Sequence, residues 1–210
     1  MYKVLFTPFY YLMNLYVHNN EKFYFDKVRL GSDMNEDELE EIKSYRSSQF
    51  KDSQDYLIPK SYIEKMKDRR VDNYSYQFIA RSKVDNSIIA SMRLTPWPFE
   101  SSDYVQTSDD YKEYLEISRL IVKEKGLGIG KKILIYAGNH AISKTNYTGF
   151  VAICKEDRLG MFASFGLLSK KIFKIQNRGD SPYHFISSSF FLISRSAVAR
   201  FVRPRSVLRG

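Results

Sequence analysis

The stretch Tyr114–Leu134, YLEISRLIVKEKGLGIGKKIL, decides how the rest of the chain is read. Tyr114 to Val122 is rich in Ile, Leu and Val and holds no Gly or Pro, the composition of a largely buried strand. KGLGIG follows at Lys125–Gly130, with glycine at alternate positions, Gly126, Gly128 and Gly130. Without Cβ atoms the chain turns tightly there and aims backbone N–H groups into the loop. Ile133, Leu134, Ala137, Ala141 and Ile142 then recur at near-helical spacing, which predicts a helix over Lys131–Ser143. A loop opening onto a helix N-terminus gathers unpaired N–H groups at the positive end of the helix dipole, so it suits an anion, and a phosphate above all. A glycine-rich surface turn would have the same spelling.

The residues around the loop narrow the phosphate. Gly130 is followed by Lys131 and Lys132, where a Walker loop carries Lys-Ser or Lys-Thr. The longer glycine spacing and the acidic residue of a dinucleotide fold are also missing. The segment resembles motif A of the GNAT acyltransferase superfamily: a strand, Arg or Gln, two residues, Gly, one residue, Gly or Ala, then a helix. Lys125, Gly128 and Gly130 fall on those positions, with Lys125 where Arg or Gln is more common. The resemblance implies that Val122, Lys125, Gly126, Leu127, Gly128, Ile129, Gly130 and Lys131 grip the phosphate of an acyl thioester. That thioester is a co-substrate, acyl-phosphopantetheine on acyl carrier protein or acyl-CoA, and no permanently bound cofactor is implied.

Composition bounds the partners. The chain has 210 residues and a formal charge of +9, long enough for one domain with a continuous core. An anionic partner suits that charge, but the charge is spread along the chain, so nucleic acid is not expected. One cysteine, Cys154, excludes an internal disulfide, and with three scattered histidines it makes no metal cluster. A reducing cytoplasm fits this usage. Sixteen Tyr and fifteen Phe suit either an apolar binding tunnel or an aromatic-rich core.

In chain order, residues 1–20 hold an apolar run, Val4–Val17, of about 21 Å if helical, too short to span a bilayer. It reads as a segment packed on the core or as one that covers an acyl chain or touches a membrane. Phe23–Leu30 alternates like a first strand; Asn35 or Asp33 can cap a helix over Glu36–Phe50, and a second helix is predicted over Lys60–Arg70. Tyr74–Ser82 and Ser87–Leu94 flank Asp85-Asn86 as a hairpin, and Thr95–Lys112 is a loop. Strand Tyr147–Lys155, helix Glu156–Gly166 and strand Tyr183–Ser194 complete the order. The basic end, residues 195–210 with Arg195, Arg200, Arg203, Arg205 and Arg209, reads as a solvated tail, a docking patch for acyl carrier protein, or an anchor on anionic lipid. The element order is that of the GNAT fold: an α/β (α+β) domain over residues 1–210. The resemblance implies a central twisted sheet that is mixed, mostly antiparallel, flanked by helices and splayed between its central strands.

Further residues are similar to one branch of that superfamily, the acyl-homoserine-lactone (autoinducer) synthases and the N-acyl amino acid synthases. Arg46 and Phe50 have the branch's first-helix spacing, Arg93-Leu94-Thr95-Pro96 its Arg-Leu-x-Pro segment, and Glu116-Ile117-Ser118-Arg119 its Glu-x-Ser-Arg segment. The complete glycine loop is more typical of ordinary GNAT proteins, and the branch's tryptophan soon after Phe50 is absent, Trp97 being the only one. What the resemblance implies is an N-acyltransferase moving a medium or long acyl chain to the amine of a small amino acid or its derivative. An acetyl-CoA N-acetyltransferase and a non-catalytic GNAT-like binding protein are the alternatives. Glu116 and Ser118 share a strand face. Glu116 is the candidate general base if burial raises its pKa, or else the partner of Arg93 or Arg46, and Ser118 could bond the acyl oxygen or a water. Arg119 is expected on the other face, paired with an acid such as Asp72 or Glu64. Phe162 and Phe165 stand where many GNAT enzymes keep a Tyr as general acid. Cys154 has no His-Asp pair beside it in sequence and reads as a buried thiol.

Overall fold

The computed structural model describes residues 15–50, 62–123, 127–175 and 182–190. The run Val4–Asn14, Lys125, Gly126 and the basic end after residue 190 lie outside them. Strands are β1 (Phe23–Phe25), β2 (Arg29–Leu30), β3 (Tyr76–Ser82), β4 (Ile88–Thr95), β5 (Tyr114–Val122), β6 (Gly149–Lys155), β7 (Leu168–Phe173) and β8 (Tyr183–Ser189). Helices are α1 (Glu36–Phe50), α2 (Tyr62–Tyr74), α3 (Ile129–Lys144) and α4 (Glu156–Ala163). The strands make one sheet in the order β1-β3-β4-β5-β6-β8-β7, with β2 also on β3. Every pairing is antiparallel except that of β5 with β6. This is the open, mostly antiparallel sheet of the GNAT fold.

Local chemistry explains the elements. Asn35 accepts a bond from the Glu38 amide at 2.8 Å and Glu38 returns one from the Asn35 amide at 3.0 Å, a capping box that starts α1. Asn86 turns the β3–β4 hairpin in the left-handed region at φ 61°, which asparagine tolerates. β4 alternates Met92 and Leu94 with Ser91, Arg93 and Thr95, and all of it is buried. The apolar set joins Phe78, Ala80, Leu115 and Ile117 under Ile133, Ala137 and Ala141 of α3. The polar set faces α1 and α2, and there the interior is charged.

Two expectations change. Phe23–Leu30 is two short strands, both paired to β3. A strand not expected from the sequence, β7, lies at the sheet's far edge, exposed through residues 168–172. Covered on neither face, it has no need of the alternation that marks a half-buried strand.

Candidate functional site

The site is built around β5. From Tyr114 to Ile117 the strand is paired with β6, Tyr114↔Gly149 to Ile117↔Ala152, and the last two of these residues are paired with β4 as well, Ile117↔Leu94 and Glu116↔Thr95. Beyond Ile117 it keeps only β4, while β6 continues on β8 through Ile153↔Phe185, Cys154↔His184 and Lys155↔Tyr183. The parallel pair therefore parts, leaving a gap flanked by residues 118–122 and 153–155. The closed end is held tight by Gly149, where a Cβ would fall 2.3 Å from the Tyr114 ring and 2.6 Å from the Ser188 carbonyl oxygen.

At the open end stands the N-terminus of α3. Gly128 precedes the helix at φ 69°, and a Cβ on Gly130 would lie 3.4 Å from Val122 Cγ2, so the first turn sits against the end of β5. Among the described residues no group accepts a hydrogen bond from the amides of Ile129, Gly130 or Lys131. The helix has no acid in its first turn. Lys131 and Lys132 stand there instead, against the dipole, and a bound anion would offset both. Lys131 is exposed, whereas Lys132 is buried, its Nζ donating to the Asn19 carbonyl at 3.2 Å above the ring of Tyr16. Leu127 and Val122 are half-buried against the core.

The face of β5 toward α1 and α2 carries a closed network. Arg93, wholly buried, donates to Asp72 at 2.9 Å, Asp68 at 3.1 Å, Glu100 at 2.5 Å and the Ser118 hydroxyl at 3.0 Å. Arg46 donates to Asp72 at 2.7 Å and to Gln77 at 2.8 Å. Arg119 donates to Asp68 at 2.9 Å and Glu100 at 2.5 Å. Three guanidinium groups thus meet three carboxylates, which is how so much charge stays buried. Burial alone would raise the carboxyls of Asp68 and Asp72, but Arg119 and Arg93 around the first, and Arg46 and Arg93 around the second, hold both below the usual range.

Arg119 does not take the opposite face. From Arg93↔Ser118 to Ser91↔Ile121, β5 advances three residues while β4 advances two, and Arg119 sits in this bulge at φ 52°. The extra residue breaks the alternation and turns Arg119 into the same network as Ser118. Its partners Asp68 and Glu100 were not singled out in the sequence; Asp68 and Asp72 are four apart on α2, a spacing that shares a helix face, but Glu100 comes from the loop and carries no local signal.

Glu116 pairs with neither Arg93 nor Arg46. Its oxygens accept from the backbone amides of Glu100 at 2.7 Å and Ser101 at 3.0 Å, so it caps the 3-10 turn Glu100–Asp103 and fixes the loop after β4. Burial, aided by the negative charge of Glu100, pushes its pKa up to about 7 against the pull of those amides and of Arg93. The anchored loop carries Trp97, Phe99 and Val105 onto Val151, Ile153 and Phe185, with Tyr111, Tyr114 and Phe173 around them. An aromatic wall therefore flanks the point where β5 leaves β6.

The remaining residues take structural positions. Phe162 is buried and Phe165 packs on the same core. Burial pushes the Cys154 thiol up to about 12. Of the Arg46–Phe50 pair, Arg46 alone has a described side chain.

No protein-family model matches the sequence, and no curated protein matches it. Solved structures do. An acyl-CoA N-acyltransferase from Pseudomonas aeruginosa is 13% identical, with a TM-score of 0.57 over 78% of this chain and 97% of that one. TofI, solved in a ternary complex with an inhibitor and MTA, is 14% identical, with a TM-score of 0.61 over 82% and 95%. Arabidopsis thaliana NAA60 in complex with acetyl-CoA is 13% identical, with a TM-score of 0.52 over 80% and 98%. The chain has the fold of the GNAT N-acyltransferases.

Proposed function

We propose that the protein is an N-acyltransferase that moves a medium or long acyl chain from acyl carrier protein or acyl-CoA to the amine of a small amino acid or its derivative. The observation that carries this reading is the parting of β5 from β6 beside three amides at the start of α3 that have no acceptor among the described residues. Residues Val122 and Lys125–Lys131 hold the pantetheine-linked phosphate, and the thioester lies in the gap between the strands. The aromatic wall favours a chain longer than acetyl, since apolar area removed from water supplies binding in proportion to length. The autoinducer-synthase or N-acyl amino acid synthase type is supported by the gathering of Arg46, Arg93, Glu116, Ser118 and Arg119 around one strand. The protein works in the cytoplasm, at the periphery of the inner membrane; among the described residues no helix is long and apolar enough to cross a membrane.

In the reaction the neutral amine attacks the thioester carbonyl, the C–N bond forms, the C–S bond breaks, and the sulfur leaves as a thiolate that takes its proton from water. Glu116 takes the surplus proton of the nitrogen, directly or through a water. A carboxylate has about four lone-pair sites and the two amides fill two of them. A pKa near 7 suits a base at neutral pH. Ser118 accepts from Arg93 Nε, which leaves its own proton to bond the acyl oxygen or a water. An acetyl-CoA N-acetyltransferase is the second reading, favoured by the fold likeness to a protein solved with acetyl-CoA.

Thiol release measured with acyl carrier protein and CoA donors, from acetyl to palmitoyl, against a panel of amino acids tests all of this. Release from long-chain donors with appearance of an N-acyl amino acid is expected. Release from acetyl-CoA alone would favour the second reading, and no release from any donor would make the chain a binding protein.

A further inference from the structure

One end of the molecule combines exposed apolar side chains with lysines. Sheet order brings the start of β1, the β3–β4 hairpin tip and the end of β5 to the end where α3 begins. The contacts there are direct. The Lys83 amide donates to the Lys22 carbonyl at 2.9 Å, Lys83 Nζ to the Asn20 carbonyl at 2.7 Å, the Lys123 amide to the Ile89 carbonyl at 2.9 Å, and the Tyr24 hydroxyl to Asn86.

On that end, Val84 at the hairpin tip is 93% exposed, and Leu15 and Tyr16 are 52% and 46% exposed. A core has little use for three such residues, although the Tyr16 ring also lies under Lys132 Nζ. Lys22, Lys83, Lys123 and Lys131 are exposed among them, against the exposed acids Glu21 and Asp85. Asp85 is turned back onto the hairpin by the amide and hydroxyl of Ser87. Leu15 and Tyr16 are also the two residues before Val17 in the apolar run Val4–Val17.

We propose that this end rests on an anionic lipid surface, with Val84, Leu15 and Tyr16 entering the headgroup layer and Lys22, Lys83 and Lys123 facing lipid phosphates. Apolar side chains that dip a few ångströms into the interface, backed by cations, are what such a surface selects. A folded protein partner would instead cover the protruding hairpin with a matching hollow, and Val84 stands alone at its tip. The hairpin and β1 lie on the β4 side of β5, and the gap lies on the β6 side, so contact through the hairpin leaves the gap between the strands uncovered. The proposal deepens the peripheral location given above and does not depend on acyl transfer.

Sedimentation of the full chain with vesicles tests it. Binding should be strong to phosphatidylcholine mixed with phosphatidylglycerol, weak to phosphatidylcholine alone, and reduced by salt near 1 M, where the Debye length falls to about 3 Å. Val84→Asp should weaken the partition coefficient about tenfold, and the double variant Lys22→Glu/Lys123→Glu by a similar factor. Both should unfold at the wild-type temperature. Ile172→Asp, at an exposed site on β7 at the opposite edge of the sheet, should bind as wild type. Wild-type binding by folded Val84→Asp would overturn the proposal, as would equal binding to both vesicle types. Loss of acyl-carrier-protein capture in the lysine variant, with vesicle binding intact, would assign the surface to that protein and overturn it too. Acyl-transfer activity, measured in the same variants without lipid, should be unchanged.

Discussion

The two halves of β5 have the same kind of sequence and opposite fates. Residues 114–117 are bonded to β6, Glu116 and Ile117 to β4 as well, and they end against a glycine that admits no side chain; residues 118–122 are bonded to β4 alone, kinked by a bulge, and open on the other side. The difference lies in what grips each half. The first half is fixed by regular pairing. In the second, Arg119 is held at a positive φ by two partly buried acids, a conformation that costs a non-glycine residue energy and persists only where surroundings over-determine it. The charge network therefore holds the bulge in β5 beside the place where a thioester is proposed to lie.

Removing the centre of the network should break the open half hardest. Arg93→Ala leaves Asp68, Asp72 and Glu100 without their shared cation and should cost roughly 3–5 kcal/mol in urea unfolding. Glu116→Gln should lower kcat about a hundredfold or more if the residue is the base, and the ascending limb of the pH–rate profile near 7 should vanish. A variant that merely loosens the loop would keep that limb.

The same residue makes a stability prediction of definite sign. The folded-state pKa of Glu116 is about 7 against an ordinary 4.5, so between those values the folded chain holds more protons than the unfolded one. The contribution of Glu116 is then fully present below about pH 4.5, falls as pH rises and is gone above about pH 7. Asp72, held low by Arg46 and Arg93 against its burial, contributes above the ordinary aspartate range and is lost on acidification. Between about pH 5 and pH 8 the urea midpoint of wild type should therefore decline relative to that of Glu116→Gln, in which the groups common to both proteins cancel.

At the closed half, Gly149→Ala puts a methyl into the Tyr114 ring and a carbonyl, and should cost about 1–3 kcal/mol. The smallest stability change is expected for Gly128→Ala. Nothing lies within 4 Å of the added carbon, but φ is 69°, so the cost is about 1 kcal/mol, with weaker donor binding measured as a raised KM.

Much of this contrast was legible in the sequence. The bounds of β5 and α1 match their expected ranges because apolar composition and an Asn-led capping box mark them without help from distant residues. The glycine spacing announced the helix N-terminus for a similar reason. What could not be read depends on partners remote in sequence. Alternation put Arg119 on the wrong face because a bulge is a property of two strands. Glu116 was weighed as an arginine partner, yet it is the loop carrying Glu100 and Ser101 that comes to it. β7, with Ser-Lys-Lys at its centre, is a strand only because β8 offers an edge.

The account stands on the amides that follow Gly128. A titration of the isotope-labelled protein with phosphopantetheine, the part common to both candidate donors, reads them one by one. The account predicts saturable shifts at the amides of Ile129, Gly130 and Lys131 and at residues 119–122 of β5, with Tyr114–Ile117 little moved. Binding that leaves those helix amides unshifted, or no binding at all, would contradict it.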